Sequence, residues 1–306
     1  MTSEQIRLAL TIAETGSISN AARKVYLTQP TVSGILAALE REVGCTLFVR
    51  SSHGVSPTAE GMEFLRSARR IVQELDGIAQ LGRQGEICRL HLTSFSSTRV
   101  ERAFTKFCLN HQRMRLDISY EILSCSIERA ASLIYDGKTD VVLTVAVEGI
   151  SNVQRQLLDS RHLIYEPIAR LPIAVTMAQS YPLCQGALTL DRAAQFTRLE
   201  DSRLRLNSSI YPESVRMQFQ QAPSIQIQSR TMRIQLAAAG IGFFIGMPMR
   251  AEELAQNGLT CRIIPGLQLH LAAVRSEEAS NDSQQAELLS LVRREYEYEC
   301  DAESTS

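Results

Sequence analysis

The sequence predicts an α/β chain in three parts: a small helical N-terminal unit with a two-stranded wing, one long linking helix, and a larger two-lobed α/β region. Three observations predict it. From Thr2 to Gly44 apolar residues recur at helical spacing, and a short alternating segment with a glycine turn follows. From Thr58 to about Gly82 a single apolar stripe runs on without a break. Beyond that, strand-like and helix-like segments alternate almost to the end.

In order, Thr2 and Gln5 fit a capping box, and Ile6, Leu8, Ala9, Leu10, Ile12 and Ala13 make a supporting helix. Gly16 to Ala22 reads as a turn and a helix start, with Ser19 as N-cap and Ala21, Ala22 and Val25 facing inward. Tyr26-Leu27 is a tight connection. Thr28 then suits an N-cap, and Pro30 sits in the first turn, where its missing N–H costs little. Val32, Ile35, Leu36 and Leu39 form the buried stripe of this helix. Its opposite face carries Pro30, Gly34, Ala37 and Arg41, with Thr31 and Ser33 on the flanks. Small and hydroxylic groups at a helix N-terminus suit a DNA major groove, where Gln29 can reach base edges. Taken alone, the stretch reads better as an ordinary amphipathic helix with a small-residue packing face. The short helix and turn before it change that balance and make a helix–turn–helix. After it, Cys45 to Arg50 alternates as a strand, Ser52-His53-Gly54 turns, and Val55-Ser56 returns.

The run from Gly16 to Gly61 closely resembles the winged DNA-binding domain of LysR-type transcriptional regulators. The matches are the GSxSxAA turn and helix, TQPxVS at Thr28 to Ser33, Leu39-Glu40 with Gly44, LFxR at Leu47 to Arg50, and Thr58 with Gly61. So many ordered matches are far more specific than one helix–turn–helix pattern. The resemblance implies a winged helix-turn-helix domain over 1–58, a linker and dimerisation helix with a hinge over 59–85, and an effector-binding domain over 86–306. That last domain would have two lobes like a periplasmic binding protein, about 86–160 with 267–300, and about 161–266. Ser19, Gln29, Pro30, Thr31 and Ser33 are then expected at DNA, with wing residues Arg50 and His53 near phosphates or the minor groove. Relatives commonly carry Arg or Lys where this chain has Gly34 and Ala37.

Composition agrees. With 306 residues there is room for about two domains. A net charge of −1 and 44% hydrophobic residues describe a globular protein and exclude a polybasic nucleic-acid coat. No apolar run approaches the ~20 residues of a membrane span, and no signal-peptide core opens the chain, so a cytoplasmic location is expected. Seven cysteines without a CxxC pattern indicate reduced structural thiols, and neither a zinc site nor a disulfide framework. No cofactor is expected.

In the long helix, Phe64, Leu65, Ala68, Ile71, Val72, Leu75, Ile78 and Ala79 follow heptad-like spacing. Either this stripe packs within its own chain or it pairs with a second copy. The resemblance favours a homodimer or homotetramer on double-stranded promoter DNA, with RNA polymerase as a further partner. Gly82 to Glu86 reads as a polar hinge. Strands are predicted over Ile87–Thr93, Leu116–Leu123, Thr139–Thr144, Leu171–Met177, Ile225–Gln228 and Leu269–Val274. Helices are predicted around Val100–Asn110, Ile127–Tyr135, Leu190–Phe196, Met232–Ala239 and Gln284–Tyr298. The alternation argues for a parallel sheet, and Gly240 to Pro248 resembles a family segment that ends near the cleft.

In parallel sheets ligands sit at the C-terminal strand ends, beside helix N-termini. Ser94, Ser96 and Ser97, then Ser126, Thr144 and Ser202, occupy such places, with Ser209, Arg230 and Arg233 as weaker candidates. The resemblance implies a small-molecule effector there, such as a carboxylate. The same serines would serve equally as helix caps, because a cap and an anion site share one geometry. Two other functions remain open: a solute-receptor-like protein with a non-functional DNA-binding domain, and an enzyme. No GxSxG, HExxH or GxGxxG motif frames the histidines at 53, 91, 111, 162 and 270, which weighs against the enzyme.

Overall fold

Two units divide the chain, Met1–Gly85 and Glu86–Ser306. The structure, a computed structural model, describes residues 1–51, 54–80, 87–146, 149–201 and 213–297.

In the first unit, helix α1 (Ser3–Thr15) opens on the predicted capping box, with the Thr2 and Gln5 side chains each accepting the other's main-chain N–H. Gly16 ends it at φ 60°, a left-handed conformation natural to glycine. Helix α2 (Ile18–Lys24) starts earlier than the sequence suggested. Its N-cap is Ser17, whose hydroxyl accepts the Asn20 N–H at 3.4 Å, and Ser19 lies exposed inside the first turn. The left-handed Gly16 reverses the chain so sharply that the next residue is already extended and in capping position.

Helix α3 (Gln29–Val43) is capped by Thr28, whose hydroxyl accepts from the Thr31 N–H, and Gly44 closes it at φ 82°. Val32, Leu36 and Leu39 face inward as predicted, while Ile35 is half-buried. With Ile12 and Leu47 they fill a core from which each side chain gains ~1.5–3 kcal/mol by leaving water.

The wing is a hairpin of β1 (Phe48–Ser51) and β2 (Gly54–Pro57), in register from Phe48 with Pro57 to Ser51 with Gly54. Its first strand begins three residues later than expected. The Glu40 carboxylate accepts the N–H groups of Leu47 (2.7 Å) and Phe48 (3.2 Å), which ties that segment to the end of α3. The Val55 N–H donates to the Gly16 carbonyl at 2.8 Å, so the wing is pinned to the α1–α2 corner.

Helix α4 (Ala59–Gln80) starts at Thr58, whose hydroxyl accepts the Gly61 N–H and donates to the Thr46 carbonyl. Its apolar stripe divides in two. Leu65 and Ala68 are buried against the first unit, and Arg7 pairs with Asp76 at 2.5 Å. Farther along, Ile71 is 39% and Ile78 62% exposed. The expected hinge over 82–86 falls outside the described residues.

The second unit is organised by a six-stranded sheet in the order β4 (Arg115–Ile122), β3 (Ile87–Ser94), β5 (Val141–Ala146), β10 (Leu259–Ser276), β6 (Leu163–Ala178) and β9 (Phe244–Gly246). Strands β3 (Ile87–Ser94), β4 (Arg115–Ile122) and β5 (Val141–Ala146) run parallel, crossed over by α5 (Thr98–Asn110) and α6 (Ile127–Tyr135). The wholly parallel sheet expected from the alternation is not what forms. Strands β6 (Leu163–Ala178) and β10 (Leu259–Ser276) are 16 and 18 residues long, far longer than predicted, and pair antiparallel with each other. Strand β10 is also antiparallel to β5, and β9 (Phe244–Gly246) to β6. These long strands carry the chain out of one half of the unit and back, so they must run in opposite directions.

Beside this sheet, β7 (Arg198–Glu200) and β8 (Ser224–Gln226) form a parallel pair. The smaller helices are α7 (Asn152–Ser160), α8 (Leu190–Ala193), α9 (Glu213–Phe219), α10 (Arg230–Ala238) and α11 (Ala251–Gln256). Of these, α7, α9 and α11 were not foreseen, nor was β7. The last helix, α12 (Ser283–Glu297), buries Leu288, Leu289, Val292 and Tyr296 in the same core as Val100, Ala103 and Phe107 of α5.

Candidate functional site

Two places concentrate candidate residues. On α3, Gln29, Pro30 and Thr31 are exposed in the first turn, and Ser33 is half-buried. The Thr31 hydroxyl lies 2.8 Å from that of Thr28, so the cap stiffens the surface it presents. Arg50 of the wing donates to the Ser33 hydroxyl at 3.4 Å, which brings wing and helix to one surface. Gly34 stands in open space, with nothing within 4 Å of where a Cβ would be. Ser19 is exposed on α2. His53 lies outside the described residues.

In the second unit, a cavity of about 110 Å³ opens where the N-terminus of α5 faces α10 and the segment after β9. Ser96 and Ser97 line it, as do Gly246 to Pro248 of the predicted glycine segment. Ser97 does not cap α5 through its side chain. Its hydroxyl lies 2.9 Å from the Tyr296 hydroxyl on α12.

Ser94, Ser126 and Thr144 are not among the cavity's lining residues. Ser94 is fully buried and donates to the Phe95 carbonyl; Thr144 donates to the Cys125 carbonyl at 2.8 Å; Ser126 caps α6. Those hydroxyls are engaged in holding the chain. Ser202 and Ser209 lie outside the described residues.

The charged lining was largely missed from sequence. Arg99, Arg230, Arg233 and Arg250 all reach the cavity, with Glu253 opposing them. The sequence offers only Arg230 and Arg233, and only as weaker candidates, because none of these residues stands at a strand end where ligands are usually sought. Arg230 pairs with Glu253 at 2.6 Å, and Arg233 lies 3.8 Å from Asp201. Nearby, the Glu295 carboxylate is buried yet well matched, with Lys106 at 2.6 Å, Arg250 at 3.0 Å and Arg102 at 3.6 Å. Arg99 is 5% exposed, donates to the Glu295 carbonyl and lies over the Tyr296 ring. The site is thus cationic, set in an apolar frame of Phe95, Val145, Phe244 and Met249.

Burial pushes the thiols of Cys88 and Cys125 up to about 11, so neither is a ready nucleophile at neutral pH. Among the described residues no helix is long and apolar enough to cross a membrane.

Comparison with known proteins bears on both places. The model of a bacterial regulatory helix-turn-helix protein, lysR family, matches residues 3–62, and that of a LysR substrate binding domain matches residues 83–297. A protein described as a probable nitrogen assimilation transcriptional activator, from Synechocystis sp., is 30% identical over 186 residues, covering 59% of this chain and 56% of its own length. An HTH-type transcriptional regulator ClcR of Pseudomonas putida is 36% identical over 96 residues, 30% of this chain and 33% of that one. The chain therefore spans about half the length, or less, of these curated relatives. Among solved structures, ArgP from Mycobacterium tuberculosis superposes with a TM-score of 0.67 at 20% identity, over 95% of this chain and 96% of that one. At such identity the likeness speaks for the fold.

Proposed function

The chain belongs to the LysR family of bacterial regulators, and on that premise we propose that it is a sequence-specific DNA-binding transcriptional regulator controlled by a small anionic effector. The observation that carries the DNA half of this reading is the first turn of α3. Gln29, Pro30 and Thr31 stand exposed there, while Val32, Leu36 and Leu39 of the same helix are buried. A helix so anchored offers its N-terminal end to a major groove, with Arg50 beside it to meet phosphate. We assign DNA recognition to 1–58, subunit pairing to the helix within 59–85, and effector binding to the halves of 86–306.

The exposed Ile71 and Ile78 support pairing with a second copy, as homodimer or homotetramer, which sets two recognition helices on a two-fold site. Bound at a promoter in the cytoplasm, such an assembly would meet RNA polymerase. The relatives are regulators, and we read this chain, like them, as no enzyme. The effector half rests on the arginine-lined cavity, which suits a carboxylate held against apolar walls.

Mobility shift with the DNA upstream of the chain's own gene tests the reading. Specific binding is expected, with Gln29→Ala weakening it by ~1–3 kcal/mol at one base step while leaving the salt dependence unchanged. Equal affinity for that DNA and for random duplex would overturn it.

A further inference from the structure

The arginine-lined cavity has a second cavity beside it, and the two share part of their lining. The outer one measures about 550 Å³ and is lined by Glu101, Arg102 and Lys106 of α5 and by residues of α11. Three residues line both: Thr98, Arg250 and Glu253. Glu253 is the one whose head group is held in place between two partners from different elements. One carboxylate oxygen pairs with Arg230 of α10 at 2.6 Å, and the other accepts from the Thr98 hydroxyl of α5 at 3.0 Å.

A guanidinium and a hydroxyl converging from opposite sides make a seat for a carboxylate. In this structure the seat is filled by a carboxylate of the chain itself. The inner cavity alone is smaller than the ~300–1,000 Å³ of ordinary small-molecule sites, whereas the outer one falls within that range, so a ligand that reaches the inner arginines finds room if the two connect.

We propose that Glu253 is a gate: its carboxylate stands in for the effector's anionic group between Arg230 and Thr98, and the effector binds by displacing it. This rests on the reading of the arginine-lined cavity as the effector site. Displacement frees Glu253 from α5 and α10 together and joins the cavities. It also exchanges one carboxylate for another at the same guanidinium, so the charge at the seat is conserved. Binding of an anion is thereby coupled to release of α11, the element on which Glu253 rides, because both compete for one seat. An uncharged analogue of the same shape cannot open the gate, since it would leave the ion pair no substitute.

The test uses the full chain, with butyrate as a probe carboxylate and butyramide as its uncharged match. Glu253→Gln keeps the shape and removes the competing charge. Butyrate should bind this variant at least tenfold more tightly than wild type, and the gain should vanish in the Arg230→Gln/Glu253→Gln double variant. Butyramide should show no such gain. In parallel, labelling of Arg230 by an arginine-specific dicarbonyl, mapped by mass spectrometry, should be faster in Glu253→Gln than in wild type. Unchanged labelling with butyrate still bound in both proteins would overturn the gate and leave the effector site standing. Faster labelling with no butyrate binding would overturn the seat and the effector-site reading with it. A gain that survives loss of Arg230 would also overturn the proposal.

Discussion

The carbonyl oxygen of Leu47 lies 1.9 Å from the point where a Cβ on Gly61 would stand. Helix α4 therefore passes the start of the wing too closely for any side chain at that position. The three nearest atoms, the carbonyl oxygen, carbonyl carbon and Cα of Leu47, are all main chain, so none can swing away. Gly61→Ala should destabilise the N-terminal unit by at least ~1–3 kcal/mol, the usual cost of overpacking. A thermal melt of the variant should show that unit unfolding earlier, with DNA affinity lost in step. An unchanged melt would mean the helix can shift outward freely.

Gly34 presents the opposite case, since a side chain there meets nothing within 4 Å. Gly34→Ala should stabilise α3 by about 0.5–1 kcal/mol through backbone entropy alone. Gly34→Arg should tighten DNA binding at low salt and steepen the slope of log K against log salt by about 0.9 if it gains one phosphate. Affinities at several salt concentrations give that slope. Weaker binding on every sequence would show that DNA approaches the helix backbone too closely for any side chain.

The linking helix yields a prediction about assembly. Ile78 is 62% exposed on an otherwise apolar stripe. Ile78→Asp should place a charge in the proposed seam and shift sedimentation toward monomer. The same change should leave folding of the first unit intact, because the buried part of the stripe is at Leu65 and Ala68.

His91 and Asp140 supply a pH dependence. The Asp140 carboxylate accepts from the His91 main chain at 2.7 Å and lies 3.1 Å from its ring nitrogen. That hydrogen bond raises the imidazole pKa above its usual value, against the opposing effect of burial. The stabilisation is fully present below the unfolded value of about 6.5 and is lost as pH rises through the higher folded value. His91→Gln should thus lower the melting temperature at pH 5.5 more than at pH 8. Both side chains are one-third exposed, so salt should weaken the effect. Equal losses at both pH values would assign the pair a purely structural role.

How much of this was legible in the sequence depended on what fixed each element. Thr28, Gly44 and Thr58 with Gly61 act within a few residues of themselves, and they stand where local chemistry puts them. Ser17 outbid Ser19 because Gly16 is left-handed, a fact that the sequence hints at but does not state. Strands β6 and β10 ran past their predicted ends because their polar stretches are held by pairing with each other across a separation that no local pattern reports. The cavity followed the same rule. Serines at strand ends were easy to nominate, yet Ser94 and Thr144 turned out to serve the backbone. Thr98, Arg230, Arg250 and Glu253 meet only because α5, α10 and α11 converge, and their order along the chain gives no sign of it.

The long pair β6 and β10 has a mechanical consequence. Its register breaks twice, at a single extra residue, Ile168, between the Leu271 and Ala272 rungs, and more widely between Ile263 and Gln268, where four residues including Pro265 and Gly266 stand opposite Ile173 alone. The chain passes to the segment between β6 and β10 and returns from it only along this ribbon, while side-chain pairs such as Glu253 with Thr98 and Arg250 with Glu295 tie that segment to the rest of the unit. A hydrogen-bonded ribbon resists stretching and shear but yields to twist, and it yields most where rungs are missing. An effector that displaces Glu253 would remove one tie outside the ribbon and leave twist to be taken up most readily at its wider break.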